Sequence, residues 1–255
     1  MNPVCFHIGS HPIYWYGVMM ACAFLAGILH WQWLGRRTGR DVSLAGDLAF
    51  WLMIGGIVGA RIAYVLSNFD YFRAAPQEII RIDQGGLIYY GGFIGGAVMF
   101  FIVARWRKIN PLDLADFSIT ALPLGHAFGR IGCFLNGCCG GALAPHPSGL
   151  TCGLAHYPVQ LYEALLNLGI YLFLSWFYLN RRNARNGIVL ALYLMTYPIV
   201  RFFLEFIRGD DRMRLGTLDV AQEISLILIA GGAMLWWVVR HHPAPSAQTK
   251  SDPRL

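Results

Sequence analysis

"LAGDLAFWLMIGGIVGARIAYVL", residues Leu44–Leu66, is 23 residues long and carries only two charged side chains. A helix of this length and polarity can cross a hydrocarbon core of about 30 Å. The whole chain has the same character, because 56% of its 255 residues are hydrophobic and 13% are charged. A soluble domain carries about 25% charged residues. We therefore predict an all-α integral membrane protein and disfavour a soluble helical protein.

Seven apolar stretches predict about seven transmembrane helices. They are Ile13–Leu34, Leu44–Leu66, Gly86–Ala104, Leu114–Leu135, Pro158–Leu179, Gly187–Ile207 and Leu218–Val239. The first stretch is of full spanning length and no basic segment precedes it, so we expect no cleavable signal peptide. We interpret residues 1–240 as one polytopic transmembrane domain. Residues 241–255 are rich in Pro, Ser and Lys and are expected to form a disordered cytoplasmic tail.

The basic residues predict the orientation. Twelve Lys and Arg residues lie after the first, third and fifth predicted spans and in the tail, whereas five lie in the opposite loops. Because basic loops stay in the cytoplasm, the N-terminus is predicted outside and the C-terminus inside. The net charge of +6 is then a topology signal, and no nucleic-acid partner is expected.

The three remaining basic residues, Arg61, Arg130 and Arg201, fall within predicted spans. A charge at the centre of a bilayer costs about 2.5–3.5 kcal/mol on insertion scales, so such residues usually face a bundle interior and mark function. An arginine whose head reaches the headgroups is the structural alternative. For Arg61 both interpretations stay open, whereas the neighbours of Arg130 and Arg201 favour function.

Arg201 belongs to "YPIVRFFLEFIRGDD", in which Arg201, Glu205 and Arg208 follow the i, i+4, i+7 pattern of one helix face. A structural ladder of ion pairs would give the same pattern. The excess of guanidinium groups in an apolar helix nevertheless suits a bound anion. In a membrane the abundant anion is a lipid phosphate.

Arg130 lies in "GHAFGRIGCFLNGCCGG", residues Gly125–Gly141, where the five glycines from Gly129 onward allow a ligand close to the backbone. The spacing of Gly125 with Gly129, and of Gly91 with Gly95, is also typical of helices in close contact. Packing alone leaves the arginine and the asparagine of this stretch unexplained.

Six cysteines raise the alternative of a metal or redox membrane protein. None forms a CxxC pair, and Cys138 directly before Cys139 is too close for an ordinary zinc site. A site that combines the outer cysteines Cys138, Cys139 and Cys152 with histidines stays a minor alternative; the histidines concerned are His126, His146 and His156. We expect neither a metal nor another cofactor.

Several motifs together resemble the prolipoprotein diacylglyceryl transferase family. They are "WYGVM", "GARIAYVL", "YYGGFIGG", "GRIGCFLNGCCGG", "YPVQLYEA" and "RFFLEFIR", in this order from about Tyr14 to about Gly232. The resemblance implies an enzyme of the bacterial inner membrane. Such an enzyme moves the diacylglyceryl group of phosphatidylglycerol to the lipobox cysteine of a prolipoprotein and releases glycerol phosphate. The partners it implies are this lipid, the lipobox segment and the surrounding membrane lipids.

The resemblance also implies site residues. Arg130 and Arg201 correspond to essential arginines, Asn136 and Gly141 to signature positions, and Tyr16 to a tyrosine of the first span. Further positions that align with the family are Arg61, Glu163, Glu205, Arg208 and Gln222. We assign Arg130, Arg201 and Tyr90 as catalytic. The assigned substrate-binding residues are Arg130, Tyr16, Arg61, Asn136, Gly141, Glu205 and Arg208.

The chain departs from the family pattern at two positions. Tyr90 stands where the well-studied members carry a histidine, the usual candidate for accepting the thiol proton, and Cys138 stands where they carry a glutamate, although other members resemble this cysteine-rich signature. A tyrosine, with an unperturbed pKa of about 10, is a poor base at neutral pH, whereas that of His126 is about 6.5. The identity of the base stays open. The alternative functions are a paralogue that uses another acceptor or only binds lipid, and an anion transporter.

Overall fold

The computed structural model describes residues 3–82, 85–144, 155–181, 185–209, 214–215 and 218–241, of which 214–215 are described by their backbone alone. A hairpin of β1 (Val4–Ile8) and β2 (His11–Tyr14) precedes the helices. The helices are α1 (Trp15–Thr38), α2 (Ser43–Ser67), α3 (Phe69–Ala74), α4 (Tyr89–Trp106), α5 (Pro111–Ser118), α6 (Leu122–Leu135), α7 (Val159–Asn180), α8 (Ile188–Glu205) and α9 (Val220–His241). Two short strands, β3 (Arg214–Leu215) and β4 (Leu218–Asp219), pair before α9.

Within these ranges six helices are long and apolar enough to cross a membrane: α1, α2, α4, α7, α8 and α9. The prediction of an all-α membrane protein is confirmed. The fourth predicted span, Leu114–Leu135, is not one long helix. It is divided between α5 and α6 by the 3₁₀ turn Ile119–Ala121. Pro123 at the start of α6 has no N–H to donate, which interrupts the α-helical hydrogen bonds near this turn. The predicted tail lies outside the described residues from position 242 onward.

Helices α2 and α4 touch through glycines. A Cβ atom placed on Gly95 would lie 2.1 Å from the carbonyl oxygen of Gly55, and one on Gly59 would lie 2.3 Å from that of Gly91. Real Cβ atoms do not approach so closely, so the backbones can meet only because these residues have no side chain. The predicted contact at Gly91 and Gly95 is confirmed.

The prediction that Gly125 and Gly129 form a close contact between helices is wrong. A Cβ on Gly125 would meet no atom within 4 Å, and one on Gly129 would meet only the Met20 sulfur at 3.9 Å. Gly132, one turn further along α6, is the residue that faces α1, since its Cβ would lie 3.1 Å from that of Met19. Spacing alone cannot tell which glycine of a helix faces its neighbour.

One end of the bundle is held by ion pairs around a hydrophobic core. Arg40 Nη2 lies 2.6 Å from Asp113 Oδ1, and Arg181 bonds the fully buried Asp116. Asp116 also accepts a hydrogen bond from the backbone, since the Leu190 N–H donates to its carboxylate at 2.9 Å. The core residues here include Leu34, Leu48, Val103, Leu114, Phe117, Leu174 and Val189. Helices α7 and α8 each have one end in this core, and their other ends carry predicted site residues.

Candidate active site

Five charged side chains meet at the end of the bundle away from this core, where α6 and α8 finish and α7 begins. We call them the arginine cluster: Arg130, Glu163, Arg201, Glu205 and Arg208. Arg130 Nε lies 3.0 Å from Glu163 Oε2, and Arg208 Nη1 lies 3.7 Å from the same oxygen. Arg201 Nη2 lies 2.8 Å from Glu205 Oε2.

The arginine cluster is buried and carries an excess of positive charge. The side chains of Glu163 and Glu205 are each 1% exposed, and that of Arg208 is 3% exposed. Three guanidinium groups face two carboxylates, which leaves one net positive charge. Arg201 Nη1 is buried and has no hydrogen-bond partner among the described residues. Because a buried charged donor without a partner is costly, this arrangement suits a bound anion.

The predicted helix face of Arg201, Glu205 and Arg208 is confirmed for its first two members. Helix α8 ends at Glu205, so Arg208 lies beyond the helix. Its backbone forms a bridge with Gly141, and its side chain approaches Glu163 on α7. Glu163 is therefore the centre of the cluster. The i, i+4, i+7 pattern could not indicate this residue, and only the family motif around it did.

Arg61 does not belong to the arginine cluster. Its Nε donates to the carbonyl oxygen of Ile79 at 2.8 Å, and its Nη1 donates to those of Gly85 and Gly86 at 3.0 Å. Its Nη2 donates to the Glu78 carbonyl oxygen at 2.6 Å. These bonds tie the connection between α3 and α4 to α2. The geometry favours a structural role for Arg61, although the guanidinium binds backbone carbonyls and was not expected to do so. The assignment as a substrate-binding residue stays a prediction.

Tyr90 lies at the start of α4 and is 72% exposed. The contact described for its ring is with the adjacent Tyr89, at 5.8 Å between centroids. Tyr89 interacts electrostatically with Tyr193 and with Tyr197, which in turn interacts with Arg130. The interactions described thus connect Tyr89, the residue before Tyr90, electrostatically to the arginine cluster. A base role for Tyr90 stays a prediction.

The remaining predicted residues surround the arginine cluster to different degrees. Tyr16, at the start of α1, interacts electrostatically with Arg130. Asn136 is half-buried directly after α6, and its N–H donates to the Gly132 carbonyl oxygen at 2.9 Å. Gly141 has a packing role, since a Cβ there would lie 2.6 Å from the Tyr157 carbonyl oxygen.

His126 of α6 lies beside the arginine cluster, and Gln222 of α9 lies against the end of α8, where its Nε2 donates to the Phe202 carbonyl oxygen at 3.5 Å. The His126 ring lies 4.9 Å from that of Tyr197, and its buried Nδ1 has no partner in the part of the chain that the structure describes. It interacts electrostatically with Glu163 and Arg130. Gln222 Oε1 accepts from the Asp219 N–H at 3.2 Å. His126 is thus next to the charged centre of the cluster.

A second group of reactive side chains lies just beyond Arg130. The sulfur atoms of Cys133, Cys138 and Cys139 lie within 4.8 Å of one another. Cys139 lines a cleft of about 620 Å³ together with His156 and Gln160. The expectation of no metal rested on the direct succession of Cys138 and Cys139, and this succession does not keep the sulfurs apart. His146 and Cys152 lie outside the described residues.

The bundle and its buried charges define a multi-helix membrane protein with an ionic site at one end. A family model described as prolipoprotein diacylglyceryl transferase matches residues 3–238. The chain belongs to this family.

Curated relatives agree with the family model over nearly the whole length. A phosphatidylglycerol–prolipoprotein diacylglyceryl transferase of Clostridioides difficile is 36% identical over 233 residues, which cover 91% of this chain and 93% of the relative. One of Coxiella burnetii is 34% identical over 253 residues, which cover 94% and 97%. Transferase 2 of Clostridium perfringens is 32% identical over 232 residues, which cover 88% and 90%.

Proposed function

We propose that this chain transfers the diacylglyceryl group of phosphatidylglycerol to the lipobox cysteine of prolipoproteins. The family membership and the names of the relatives support this activity and this pair of substrates. The structural observation that supports it best is the buried Arg201 Nη1 without a partner, in a cluster with one net positive charge. An anionic headgroup would supply the missing acceptor.

The reaction explains why arginines occupy this place. The acceptor sulfur forms a bond to a glyceryl carbon, and the bond from that carbon to a phosphate oxygen breaks. The phosphodiester becomes a phosphate monoester, so negative charge grows on the departing headgroup. A guanidinium that meets this charge stabilises the transition state more than the bound lipid, and this difference raises the rate. We assign this role to Arg130 and Arg201.

The other cluster members hold these two arginines. Glu163 forms an ion pair with Arg130 and also lies close to Arg208. Glu205 forms an ion pair with Arg201. Each planar guanidinium keeps further donors for the two oxygens of a phosphate. Tyr16 and Asn136 lie at the edge of the site, where we propose contacts with the substrates. The backbone of Gly141 forms a bridge with that of Arg208, and this bridge positions Arg208.

We further propose seven crossings, with α5 and α6 together as the fourth. Asp113 near the start of α5 pairs with Arg40 at the core end, whereas Arg130 in α6 pairs with Glu163 at the other end. A helical path of 25 residues, Pro111–Leu135, extends about 37 Å at 1.5 Å per residue. With the N-terminus outside and the C-terminus cytoplasmic, the arginine cluster lies toward the outer side of the bacterial inner membrane.

A reconstituted assay tests the activity directly. The purified protein is incubated with a lipobox peptide and vesicles, and the peptide mass is measured. We expect a diacylglyceryl adduct with phosphatidylglycerol and none with a zwitterionic lipid alone. A peptide with serine in place of its cysteine is the matched control and should gain nothing, because a thiolate is the far better nucleophile near neutral pH. An adduct with the zwitterionic lipid, or none with either lipid, would overturn the proposal.

A further inference from the structure

Three cysteines at the end of α6 meet at one point. Cys133 is on the last turn of the helix, and the Cys138 N–H donates to its carbonyl oxygen at 3.1 Å. The Cys138 thiol also approaches this oxygen at 3.6 Å. From α7, Gln160 Nε2 donates to the Cys138 carbonyl oxygen at 2.7 Å. Two helices therefore fix the turn that brings the sulfurs together.

The turn depends on a backbone conformation that few residues adopt. Gly137 has φ 72° and Cys139 has φ 60°, both in the left-handed region. This region is uncommon for any residue other than glycine. In an extended chain two consecutive side chains would point in opposite directions. The left-handed turn instead leaves the sulfurs of Cys138 and Cys139 within 4.8 Å of each other and of Cys133.

The spacing of the sulfurs suits a metal ion. Zinc binds thiolates at about 2.3 Å, which places tetrahedral sulfur ligands about 3.8 Å apart. The observed separations, none above 4.8 Å, exceed this spacing by at most about 1 Å. Among the residues that the structure describes, this is the one group of three or more potential ligand side chains close enough to share an ion. Three protein ligands with an open fourth position are typical of catalytic zinc sites.

We propose that Cys133, Cys138 and Cys139 bind a Zn²⁺ ion whose fourth position takes the thiol of the acceptor cysteine. This inference rests on the proposed transferase function. A thiol that coordinates zinc loses its proton, which passes to solvent. The bound thiolate attacks the glyceryl carbon, the carbon–sulfur bond forms, and the carbon–oxygen bond electrons leave with glycerol phosphate. Zinc is neither oxidised nor reduced, and the thioether product is a weaker ligand that departs.

The surroundings agree with this role. Cys139 is exposed and lines the cleft, so an acceptor peptide can reach the site. Arg130 interacts electrostatically with Cys133 and Cys139, and Arg208 interacts with Cys139. Three thiolates and one Zn²⁺ carry one net negative charge, which lies beside these guanidinium groups. Zinc activation would also explain how a chain with Tyr90 in the family's histidine position forms a thiolate.

Metal content tests the site without any use of activity. The full chain is purified in detergent with a reductant, stripped with a zinc chelator, dialysed against Zn²⁺ and analysed by mass spectrometry for metals. We expect about one zinc per chain, with a loss of more than about five-fold in Cys138→Ser and in Cys139→Ser. Cys22→Ser is the matched control, because this exposed cysteine lies on α1. No zinc in the reduced wild type, or full zinc in both variants, would overturn the site.

Cobalt substitution tests the open position. Co²⁺ in a thiolate site absorbs visible light, and a fourth sulfur ligand changes the spectrum. We expect the lipobox peptide to shift the absorption and its serine version to leave it unchanged, while an unchanged spectrum with both would overturn the acceptor role. Transfer by the stripped protein would contradict the zinc inference and leave the proposed function standing. Zinc binding without transfer by the wild type would contradict the proposed function alone.

Discussion

Arg130 Nε lies 3.0 Å from Glu163 Oε2, and the same carboxylate oxygen lies 3.7 Å from Arg208 Nη1. One buried glutamate therefore faces an arginine of α6 and another that follows α8. Breaking a buried ion pair by removing one partner is strongly destabilising. The arrangement holds the guanidinium groups in fixed positions while leaving donors for an anion.

Arg130→Ala and Arg201→Ala should each lower the rate of peptide modification by about 10²–10³-fold, the typical worth of one electrostatic donor. Lysine at either position should restore only part of the rate, because a point charge lacks the planar fork that bonds two phosphate oxygens. The mass-spectrometric transfer assay measures both effects.

Arg36→Ala is the matched control for these variants, since Arg36 is exposed at the end of α1. Arg212→Ala and Arg214→Ala, in the predicted outer loop, should also change the rate little. If Arg130→Ala kept half of the wild-type rate while remaining folded, the active site would lie elsewhere.

Tyr90→Phe decides whether this tyrosine is the base. Loss of a general base costs about 10²–10⁴-fold in rate. Because Tyr90 is 72% exposed and zinc is proposed to form the thiolate, we expect a change of less than about two-fold. The measurement is the transfer rate as a function of pH, with Tyr14→Phe on the exposed N-terminal hairpin as the control. A loss of about 100-fold for Tyr90→Phe alone would establish Tyr90 as the base.

Arg61→Ala should destabilise the protein, because the carbonyl oxygens of four residues between positions 78 and 86 would lose their donor. Hydrogen bonds from a charged group are worth about 1.5–3 kcal/mol each. We expect the unfolding midpoint in detergent to fall by at least about 4 °C. Arg73→Ala, at an exposed position on α3, should leave the midpoint unchanged. An unchanged midpoint for Arg61→Ala, with transfer abolished, would instead support the substrate-binding assignment.

Gly95→Ala should separate α2 and α4, since its Cβ would lie 2.1 Å from the Gly55 carbonyl oxygen. Overpacking of this kind costs about 1–3 kcal/mol. Gly96→Ala is the neighbouring control, because a Cβ there meets no atom within 4 Å. Alanine at that position should leave the unfolding midpoint equal or higher, as alanine favours helix by up to about 1 kcal/mol. Equal midpoints for the two variants would contradict the close packing of these helices.

The order of residues alone is enough to predict the class of fold and the kind of site. Apolar stretches of spanning length predicted the six long helices, because hydrophobic length is a property of consecutive residues. The cost of a charge in lipid singled out Arg130 and Arg201, which the structure brings into one buried cluster. The family motifs agreed, and the family model extends over residues 3–238.

Which side chains meet depends on how the helices pack. Glu163 is on α7, yet it pairs with residues of α6 and of the segment after α8, and helix periodicity carries no information on contacts between helices. Arg61, like Arg130, is a charged residue within a predicted span. Its guanidinium nevertheless donates to backbone carbonyl oxygens of the connection between α3 and α4. The three cysteines converge because Cys139 adopts a left-handed backbone conformation. The Asn136-Gly137 pair indicates a turn in the sequence, but the position of Cys138 and Cys139 in it depends on contacts such as the hydrogen bond from Gln160 of α7 to the Cys138 carbonyl oxygen.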